Sequence, residues 1–317
     1  MRQLKNHLET TMSKQTKRVL IQIAALVVLG VILVPQFKQF SASWDSIKNG
    51  HIEWAMIGLV AVLATTIFAS LVYKALVPKK LPLMRTIVIQ IATYFTNRLL
   101  PSGIGGLGFN TLYITRQTGL SRTEAAAYAT INNILGFVAF WLSALVAALI
   151  SRSRVNLPGI SMKAVLIVVV IGAGVVLASF LSAGIKKNIL GFGGHMWGVL
   201  LAMSKSPGRV ALALTASMGI TFSYVSILYC ASRVVGVDIT VSQLFIAFVA
   251  GNAALSVSPT PGGLGAVEAA MTALLVSLGT GSSDALATVL VYRGLSYWLP
   301  IVPGFIAFKV ATARKYV

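Results

Sequence analysis

Two charged residues stand inside long apolar stretches of the C-terminal half of the sequence. Glu268 follows a Pro/Gly-rich segment at 261–265, and Arg293 lies in the next apolar stretch. A charge at the bilayer centre costs about 2.5–3.5 kcal/mol on insertion scales, so we expect Glu268 to be paired, protonated or solvated. Arg293 is its predicted partner. The pair either binds a charged ligand or exchanges partners during transport, or it statically fixes one helix to the next.

Arg98 is a third charged residue at the same predicted depth, close before Pro101. It could meet a phosphate group through charge-assisted hydrogen bonds. Alternatively, it satisfies the last carbonyl groups of its own helix. Nearby Asn residues commonly connect membrane helices by hydrogen bonds. The candidate substrate-binding residues are therefore Glu268, Arg293, Arg98, Asn97, Asn252 and Tyr292.

Two Gly/Pro clusters accompany these residues. Proline ends a helix, and glycine permits tight turns and close backbone approach. Amides exposed at the start of the following helix would favour an anionic group; alternatively, each cluster is a tight tip packed against the other. The predicted tips are Pro101, Gly105, Gly106 and Gly108 in the first cluster, and Pro259, Pro261, Gly262, Gly263 and Gly265 in the second.

The composition indicates a membrane protein. Of the 317 residues, 56% are hydrophobic and 10% are charged, whereas about a quarter of a soluble domain is charged. The 26 Lys and Arg residues against 7 Asp and Glu give a net charge of +19. These basic residues stand between apolar runs, as the positive-inside rule describes, so no nucleic-acid partner is expected. The single cysteine, Cys230, excludes an intrachain disulfide framework.

A bilayer requires about 20 apolar residues per helix. The runs that meet this length are Val19–Val34, Trp54–Val77, Thr123–Ile150, Ala164–Leu181, Val210–Ala231 and Ala285–Phe308. The first run could be read as a signal peptide, but no folded secreted domain follows it, which favours an uncleaved anchor. Residues 86–118 and 242–278 each contain two apolar halves too short to cross. These two regions are predicted to be re-entrant helical hairpins.

The distribution of charge predicts the sidedness and the domain boundaries. Most Lys and Arg residues flank span ends that become cytoplasmic when both termini are inside. The loop with Arg152, Arg154 and Lys163 is an exception, because this topology places its three basic residues outside. The predicted order is a cytoplasmic basic leader (1–18), a first membrane repeat (19–150), a linker (151–163), a second membrane repeat (164–308) and a cytoplasmic tail (309–317).

The two hairpin regions resemble each other. Each shows the order Asn, Pro and Gly-Gly-Leu-Gly, then a polar break and an acidic residue before an Ala-rich helix, at Glu124 and Asp284. The predicted fold is an all-α polytopic membrane protein built as an inverted repeat, each half having three spans plus one re-entrant helical hairpin. Inverted repeats with paired broken helices are typical of transporters, which bind substrate near the membrane midplane.

The segment from Pro259 to Glu268, together with Tyr292 and Arg293, resembles the lysylphosphatidylglycerol synthase transmembrane-region family, also described as flippase-like. The resemblance extends over roughly residues 20–310 and implies movement of lipids across the membrane, with Glu268 and Arg293 matching the characteristic acid and arginine. Many relatives carry an arginine just after the proline of the first motif. Residues 102–104, which follow Pro101 in this chain, include no arginine, and only Arg98 could substitute for it. Full synthases append an aminoacyl-transferase domain, which is not expected here, so the lysyl-lipid substrate does not carry over.

The leading hypothesis is a lipid transporter of the bacterial cytoplasmic membrane that moves an anionic or headgroup-modified lipid between leaflets. It is not expected to be an enzyme or to need a metal or cofactor, and a separate lipid-modifying enzyme could be its partner. One alternative is an ion-coupled carrier of a small anionic solute, with Glu268 as proton site. Another is a membrane-embedded transferase with Glu268 as general base. A lateral opening between spans favours lipid, whereas a cavity closed to the bilayer favours a solute.

Overall fold

The computed structural model of the protein describes residues 51–99, 104–150, 186–258 and 260–317. The regular elements in these ranges are all helical. The predicted leader, the linker and the spans Val19–Val34 and Ala164–Leu181 lie outside the described residues. The α-helices are α1 (Glu53–Leu76), α2 (Leu83–Leu99), α3 (Ile104–Thr118), α4 (Arg122–Ile150), α5 (Lys186–Ser204), α6 (Pro207–Val235), α7 (Val241–Val257), α8 (Ala266–Ser277), α9 (Ser282–Arg293) and α10 (Ile301–Ala313).

Four segments are long and apolar enough to cross a membrane: Glu53–Leu76, Arg122–Ala144, Pro207–Val235 and Ser282–Ala313. They confirm the predicted spans Trp54–Val77, Thr123–Ile150, Val210–Ala231 and Ala285–Phe308. The chain is therefore a multi-pass membrane protein.

The last of these spans differs from its prediction because it is interrupted. A π-helical segment, Gly294–Trp298, separates α9 from α10, and Leu299 donates to the carbonyl of Gly294 five residues earlier. Pro300 follows directly, and a proline cannot donate the next helical hydrogen bond. The interruption begins immediately after Arg293, and π-helical segments occur frequently at functional sites.

Two pairs of short helices occupy the regions predicted as hairpins. In the first pair, Gln90 of α2 donates to Asn110 of α3, and the hydroxyl groups of Thr86 and Tyr113 lie 2.9 Å apart. These contacts run in opposite chain directions, so α2 and α3 are antiparallel. In the second pair, Gln243 near the start of α7 donates to the carbonyl of Leu278 just after α8, which makes α7 and α8 antiparallel as well.

The paired helices are shorter than a typical transmembrane helix of about 20 residues. Their lengths of 17, 15, 17 and 12 residues correspond to about 18–26 Å at 1.5 Å per residue. The hydrocarbon core is about 30 Å thick. The helical pairs were thus predicted correctly, and their re-entrance remains a prediction.

One helix of each short pair packs on a helix from the other half of the chain. The α2 helix lies along α10, where the ring of Phe95 contacts Phe305 and Phe308 at centroid distances of 5.2 and 5.6 Å. The α7 helix contacts α4, where Phe248 lies 6.0 Å from Phe140. The long helices α1 and α6 pack extensively against one another. The two halves are therefore interlocked.

Two apolar clusters fill the interior of the described residues. The first includes Val72, Ile89 and Tyr113 and surrounds the α2–α3 pair. The second includes Leu228, Leu244 and Met271 and surrounds the α7–α8 pair. Burial of apolar side chains cannot drive helices together in lipid, so their close packing and interhelical hydrogen bonds supply the stabilisation.

Helix α5 lies between the predicted spans Ala164–Leu181 and Val210–Ala231, where the sequence analysis predicted no helix. Four glycines at 191, 193, 194 and 198 lower the intrinsic helix propensity of the segment. Contacts with α4 and α6 accompany the helix despite that composition.

Candidate functional site

Glu268 and Arg293 form a buried ion pair. The Nε atom of Arg293 donates to Oε1 of Glu268 at 2.7 Å, and the two side chains are 8% and 4% exposed, respectively. The predicted pairing is therefore present. Removing either partner from such a pair leaves an uncompensated buried charge, which is strongly destabilising.

The second carboxylate oxygen of Glu268 has a partner in the backbone. Gly265 precedes the first turn of α8, and its N–H donates to Oε2 of Glu268 at 2.8 Å. An acidic residue at the third position of a helix commonly reaches back in this way to satisfy an amide with no helical partner. Both oxygens of the carboxylate are thus engaged within the protein.

The turn between α7 and α8 presents a backbone carbonyl to the same arginine. Nη2 of Arg293 donates to the oxygen of Gly262 at 2.9 Å. Gly262, Gly263 and Gly265 have φ values of 64°, 66° and 83°, a left-handed conformation that glycine adopts without a Cβ clash. These three glycines therefore form a tight turn at the start of α8.

Tyr297 of the π-helical segment lies against both the turn and the arginine. Its ring centroid is 4.2 Å from the guanidinium carbon of Arg293. A Cβ atom added at Gly262 would overlap the same ring. The ring therefore fills the space that the missing side chain of Gly262 leaves open.

Arg98 at the end of α2 approaches Tyr297 from the first half of the chain. Its guanidinium carbon lies 4.7 Å from the centroid of Tyr297 and 5.3 Å from that of Tyr94. The distances from Tyr297 to the two arginines set an upper limit on the arginines' separation, namely the sum of 4.2 and 4.7 Å. Two guanidinium groups therefore share one aromatic ring, where cation–π attraction favours both.

The hydrogen bonds of Arg98 join two helices. Nη1 donates to the carbonyl of Tyr94 in its own helix at 2.7 Å, as the alternative interpretation of Arg98 predicted. Nη2 donates to the carbonyl of Ser296 at 3.1 Å. That carbonyl is available because Pro300, four residues later, has no N–H to donate to it. The Nε atom of Arg98 is buried and has no hydrogen-bond partner among the described residues.

The charges at this site do not balance. Glu268 is matched by Arg293, and within the described ranges Arg98 forms no ion pair with a carboxylate. Two arginines, one buried and one half-buried, thus share the ring of Tyr297, and only Arg293 is paired with a carboxylate. The site carries an excess positive charge that an anionic group would neutralise.

Asn97 at the end of α2 connects α2 to the start of α3. Its Oδ1 atom accepts from the N–H of Gly106 at 2.6 Å. The predicted tip residues Gly105 and Gly106 lie in the first turn of α3, so they are helical and not turn residues. Their lack of a side chain allows close approach, because a Cβ at Gly105 would overlap the carbonyl oxygen of Thr96.

These contacts alter the expectation that hairpin amides bind an anion. The amide of Gly106 already donates to Asn97, and that of Gly265 already donates to Glu268. Gly108 is exposed and has open space beside it, so it takes no part in the tip. The arginines, and not these amides, are the donors that the structure offers to a ligand.

Two other predicted site residues make mainly structural contacts. Nδ2 of Asn252 donates to the carbonyl of Phe248 in its own helix at 2.9 Å. Tyr292 is buried in the second apolar cluster. Pro101 and Pro259 lie outside the described residues, and Pro261 begins the short 3₁₀ turn Pro261–Gly263.

A cleft lies beside the ion pair, between α8 and α9. Its volume is about 300 Å³, and its lining residues are Gly265, Glu268, Ala269, Thr272, Ala273 and Leu286. Ala269 and Ala273 are exposed on the outer face of α8. The hydroxyl of Thr272 is buried and has no hydrogen-bond partner in the described part of the chain. The cleft therefore leads from an apolar outer face toward the carboxylate.

Sequence reasoning missed Tyr297, which connects the two arginines, and Ser296, whose carbonyl receives Arg98. A signal for both was present in the sequence. Pro300 predicts that the carbonyl of residue 296 lacks its helical hydrogen bond. Tyr297 lies four positions after Arg293, so in a helix its ring is close to the arginine side chain. Neither signal predicts that Arg98, from the other half of the chain, contacts Ser296 and Tyr297.

The fold and the site define a class of protein: a multi-pass helical membrane protein with a charged cluster held between short paired helices. The family model described as "Lysylphosphatidylglycerol synthase TM region" matches residues 20–304, and the chain belongs to this family. A sequence search of curated proteins gives no match. The expected family resemblance is confirmed, and the family name fits a membrane protein whose function relates to lipids.

Proposed function

We propose that this protein moves a lipid with an anionic headgroup between the leaflets of the bacterial cytoplasmic membrane. The observation that carries the proposal is the excess of positive charge around Tyr297, where Arg98 and Arg293 share one aromatic ring and only Arg293 is paired with a carboxylate among the described residues. A phosphate group accepts charge-assisted hydrogen bonds from arginine in favourable geometry. The lipid would be translocated without any change to its covalent structure.

The architecture supports a site at the midplane. The α2–α3 and α7–α8 helices are shorter than a typical crossing of about 20 residues, and the C-terminal end of α2 meets the turn of the second pair through Tyr297. The reciprocal packing of α2 on α10 and of α7 on α4 is the pattern expected of an inverted repeat. In this proposal both pairs are re-entrant, both termini are cytoplasmic, and a separate enzyme supplies any modified headgroup.

The position of the cleft favours a lipid over a soluble anion. It opens between α8 and α9 on an outer face that carries exposed Ala269 and Ala273. A headgroup could enter there while its acyl chains stay in the bilayer. A soluble anion would instead require a path from water that avoids this apolar face.

Reconstitution in liposomes tests the proposal. Fluorescent phosphatidylglycerol, phosphatidylethanolamine and a polyprenyl phosphate would be followed by quenching of the outer leaflet, and inorganic phosphate uptake would be measured in parallel. We expect faster movement of the phosphate-bearing anionic lipids, and loss of that movement in Arg98→Gln. Arg116→Gln, which removes an exposed arginine of α3, is the matched control.

Two results would contradict the proposal. One is movement of every lipid at the rate of protein-free vesicles. The other is uptake of inorganic phosphate with no lipid movement, which would support a carrier of small anions.

A further inference from the structure

We propose that helix α5 (Lys186–Ser204) is an interfacial helix, which lies in the plane of one leaflet and binds the anionic phospholipid headgroups there. The inference concerns a surface outside the charged site, so it does not depend on the proposed function. It follows from the place of α5 on the helix bundle, from the way its side chains divide into three faces, and from the charge of the surrounding surface.

Several helix ends meet at one end of the described structure. Arg209, at the start of α6, donates to the carbonyl of Ala75 near the end of α1. Lys79, in the loop after α1, donates to the carbonyl of Thr118 at the end of α3. The start of α2 lies here as well, because α2 and α3 are antiparallel, and the start of α4 follows α3 after a short turn. We call this end of the bundle, formed by residues 74–85, 116–124 and 205–209, the basic end.

Helix α5 lies across the basic end rather than along the bundle. Its last residue, Ser204, is followed by a short turn and then by Pro207, the first residue of α6. His195, nine residues before Ser204, lies within electrostatic range of Glu124 in the first turn of α4. Nine residues of α-helix cover about 14 Å. A helix that ran along α6 would place His195 that far from the basic end, so α5 is directed across it.

The side chains of α5 divide into three faces, roughly 120° apart at 3.6 residues per turn. The face that packs against the first apolar cluster consists of Met196, Val199 and Met203. The second face is apolar but exposed, and it consists of Trp197, Leu200 and Leu201. The third face is exposed and polar or small, and it includes His195, Gly198 and Ala202. A helix that meets protein, acyl chains and water on three different sides has this division.

The composition of α5 fits an interfacial position. The helix begins with Lys186 and Lys187, and His195 lies in its middle. Such residues are costly in the hydrocarbon core. Trp197, on the exposed apolar face, has a side-chain type that is enriched at the level of the headgroups. An interfacial helix buries its apolar face about 5–10 Å into the boundary between headgroups and acyl chains.

The surface around α5 attracts an anionic leaflet. Exposed basic side chains at the basic end include Lys74, Lys80, Arg85, Arg116, Arg122 and Lys205. Of the acidic residues in the described ranges, only Glu124 lies there, and its carboxylate accepts from the amide and the hydroxyl of Ser121. Each Lys or Arg close to an anionic leaflet adds to the attraction. The lipid that contacts the exposed apolar face of α5 is therefore expected to carry negative charge.

Spin labelling of the full chain in vesicles of phosphatidylcholine and phosphatidylglycerol tests the position of α5. In a Cys230→Ala background, labels would be placed at Leu200→Cys on the apolar face and at Ala202→Cys on the polar face. Leu63→Cys, exposed within the span α1, and Lys80→Cys are the membrane and water references. Collisions with oxygen and with a water-soluble nickel chelate report depth. We expect the Leu200 label about 5–10 Å below the phosphates, with at least threefold less chelate access than the Ala202 label.

Three results would overturn the interfacial position. Chelate access at Leu200→Cys equal to that at Lys80→Cys would place the apolar face in water. A Leu200 label that neither reagent reaches would mean that protein covers this face. An Ala202 label as deep as that at Leu63→Cys would mean that α5 is immersed in the hydrocarbon core.

The preference for anionic lipid has its own test. Spin-labelled phosphatidylglycerol should associate with the protein at least twofold more than phosphatidylcholine at low salt. High salt and the variant Lys80→Gln/Lys205→Gln should each weaken this preference, because exposed charges are screened by salt. Equal association of the two lipids would overturn the binding of anionic headgroups. A preference that persists in high salt would belong to a buried site instead, and would overturn its assignment to α5.

Discussion

Arg98 and Arg293 come from different halves of the chain, yet both guanidinium groups lie over the ring of Tyr297. Like charges repel at such distances, so an aromatic face between them must contribute to their proximity. A desolvated cation–π contact stabilises by about 2 kcal/mol. The tyrosine ring is therefore one contact that connects the two short helical pairs, beside the direct approach of α2 to the Pro261–Gly263 turn.

This arrangement predicts different effects for two substitutions at Tyr297. Tyr297→Leu removes the aromatic face from both arginines, and we expect a loss of about 1–3 kcal/mol in stability together with slower lipid movement. Tyr297→Phe keeps the face and should retain most of both properties. Thermal unfolding in detergent and the liposome assay measure the difference. Equal behaviour of the two variants would show that the ring face does not hold the arginines.

The ion pair predicts non-additive effects on stability. Glu268→Ala leaves Arg293 buried without its partner and should cost about 3–5 kcal/mol. The double variant Glu268→Met/Arg293→Met should cost less than Glu268→Ala alone, because no unpaired charge remains. Unfolding in denaturant, monitored by intrinsic fluorescence, measures these costs.

The pair of Arg233 and Asp238 is the matched control for this comparison. Its atoms also lie close, at 2.8 Å, but the Asp238 side chain is 83% exposed. Exposed pairs contribute about 0–1 kcal/mol, so Asp238→Ala should change stability little. Similar costs for Asp238→Ala and Glu268→Ala would mean that the Glu268 pair is solvated rather than buried.

The conformation of the second turn predicts a strong effect of one methyl group. Gly262 has a φ of 64°, and a Cβ there would overlap the ring of Tyr297. Left-handed backbone costs a residue with a side chain about 1–2 kcal/mol. Displacement of the ring adds to this cost. Gly262→Ala should therefore lower both the unfolding temperature and the rate of lipid movement.

Gly208→Ala is the control, since a Cβ at that position meets no atom within 4 Å. Gly208 lies near the start of α6, where alanine has the higher helix propensity. Its unfolding temperature should be unchanged or slightly raised. A loss in Gly208→Ala as large as that in Gly262→Ala would contradict the steric explanation.

Much of this site could be predicted from the sequence, since a lone acid and a lone arginine in adjacent apolar stretches have few other partners. The short helical pairs followed in the same way from the Gly/Pro clusters. The contact of Arg98 with Ser296 could not be predicted, because it depends on how two distant parts of the chain pack. The glycines at 105 and 106 show a related limit, because the same Gly-Gly pattern forms a turn in one hairpin and a helix start in the other.

The proposed re-entrance of the α7–α8 pair makes a prediction about labelling. In a variant that lacks Cys230, single cysteines would replace Val241 and Ser277, at the two ends of the α7–α8 pair, and Thr260, in its turn. In a re-entrant pair, the two end positions should react with a membrane-impermeant maleimide from one side only. Thr260→Cys should then resist the reagent added on the opposite side. Rapid labelling of Thr260→Cys from that opposite side would instead show that α7 and α8 are two complete crossings, since only then would the turn reach the far surface.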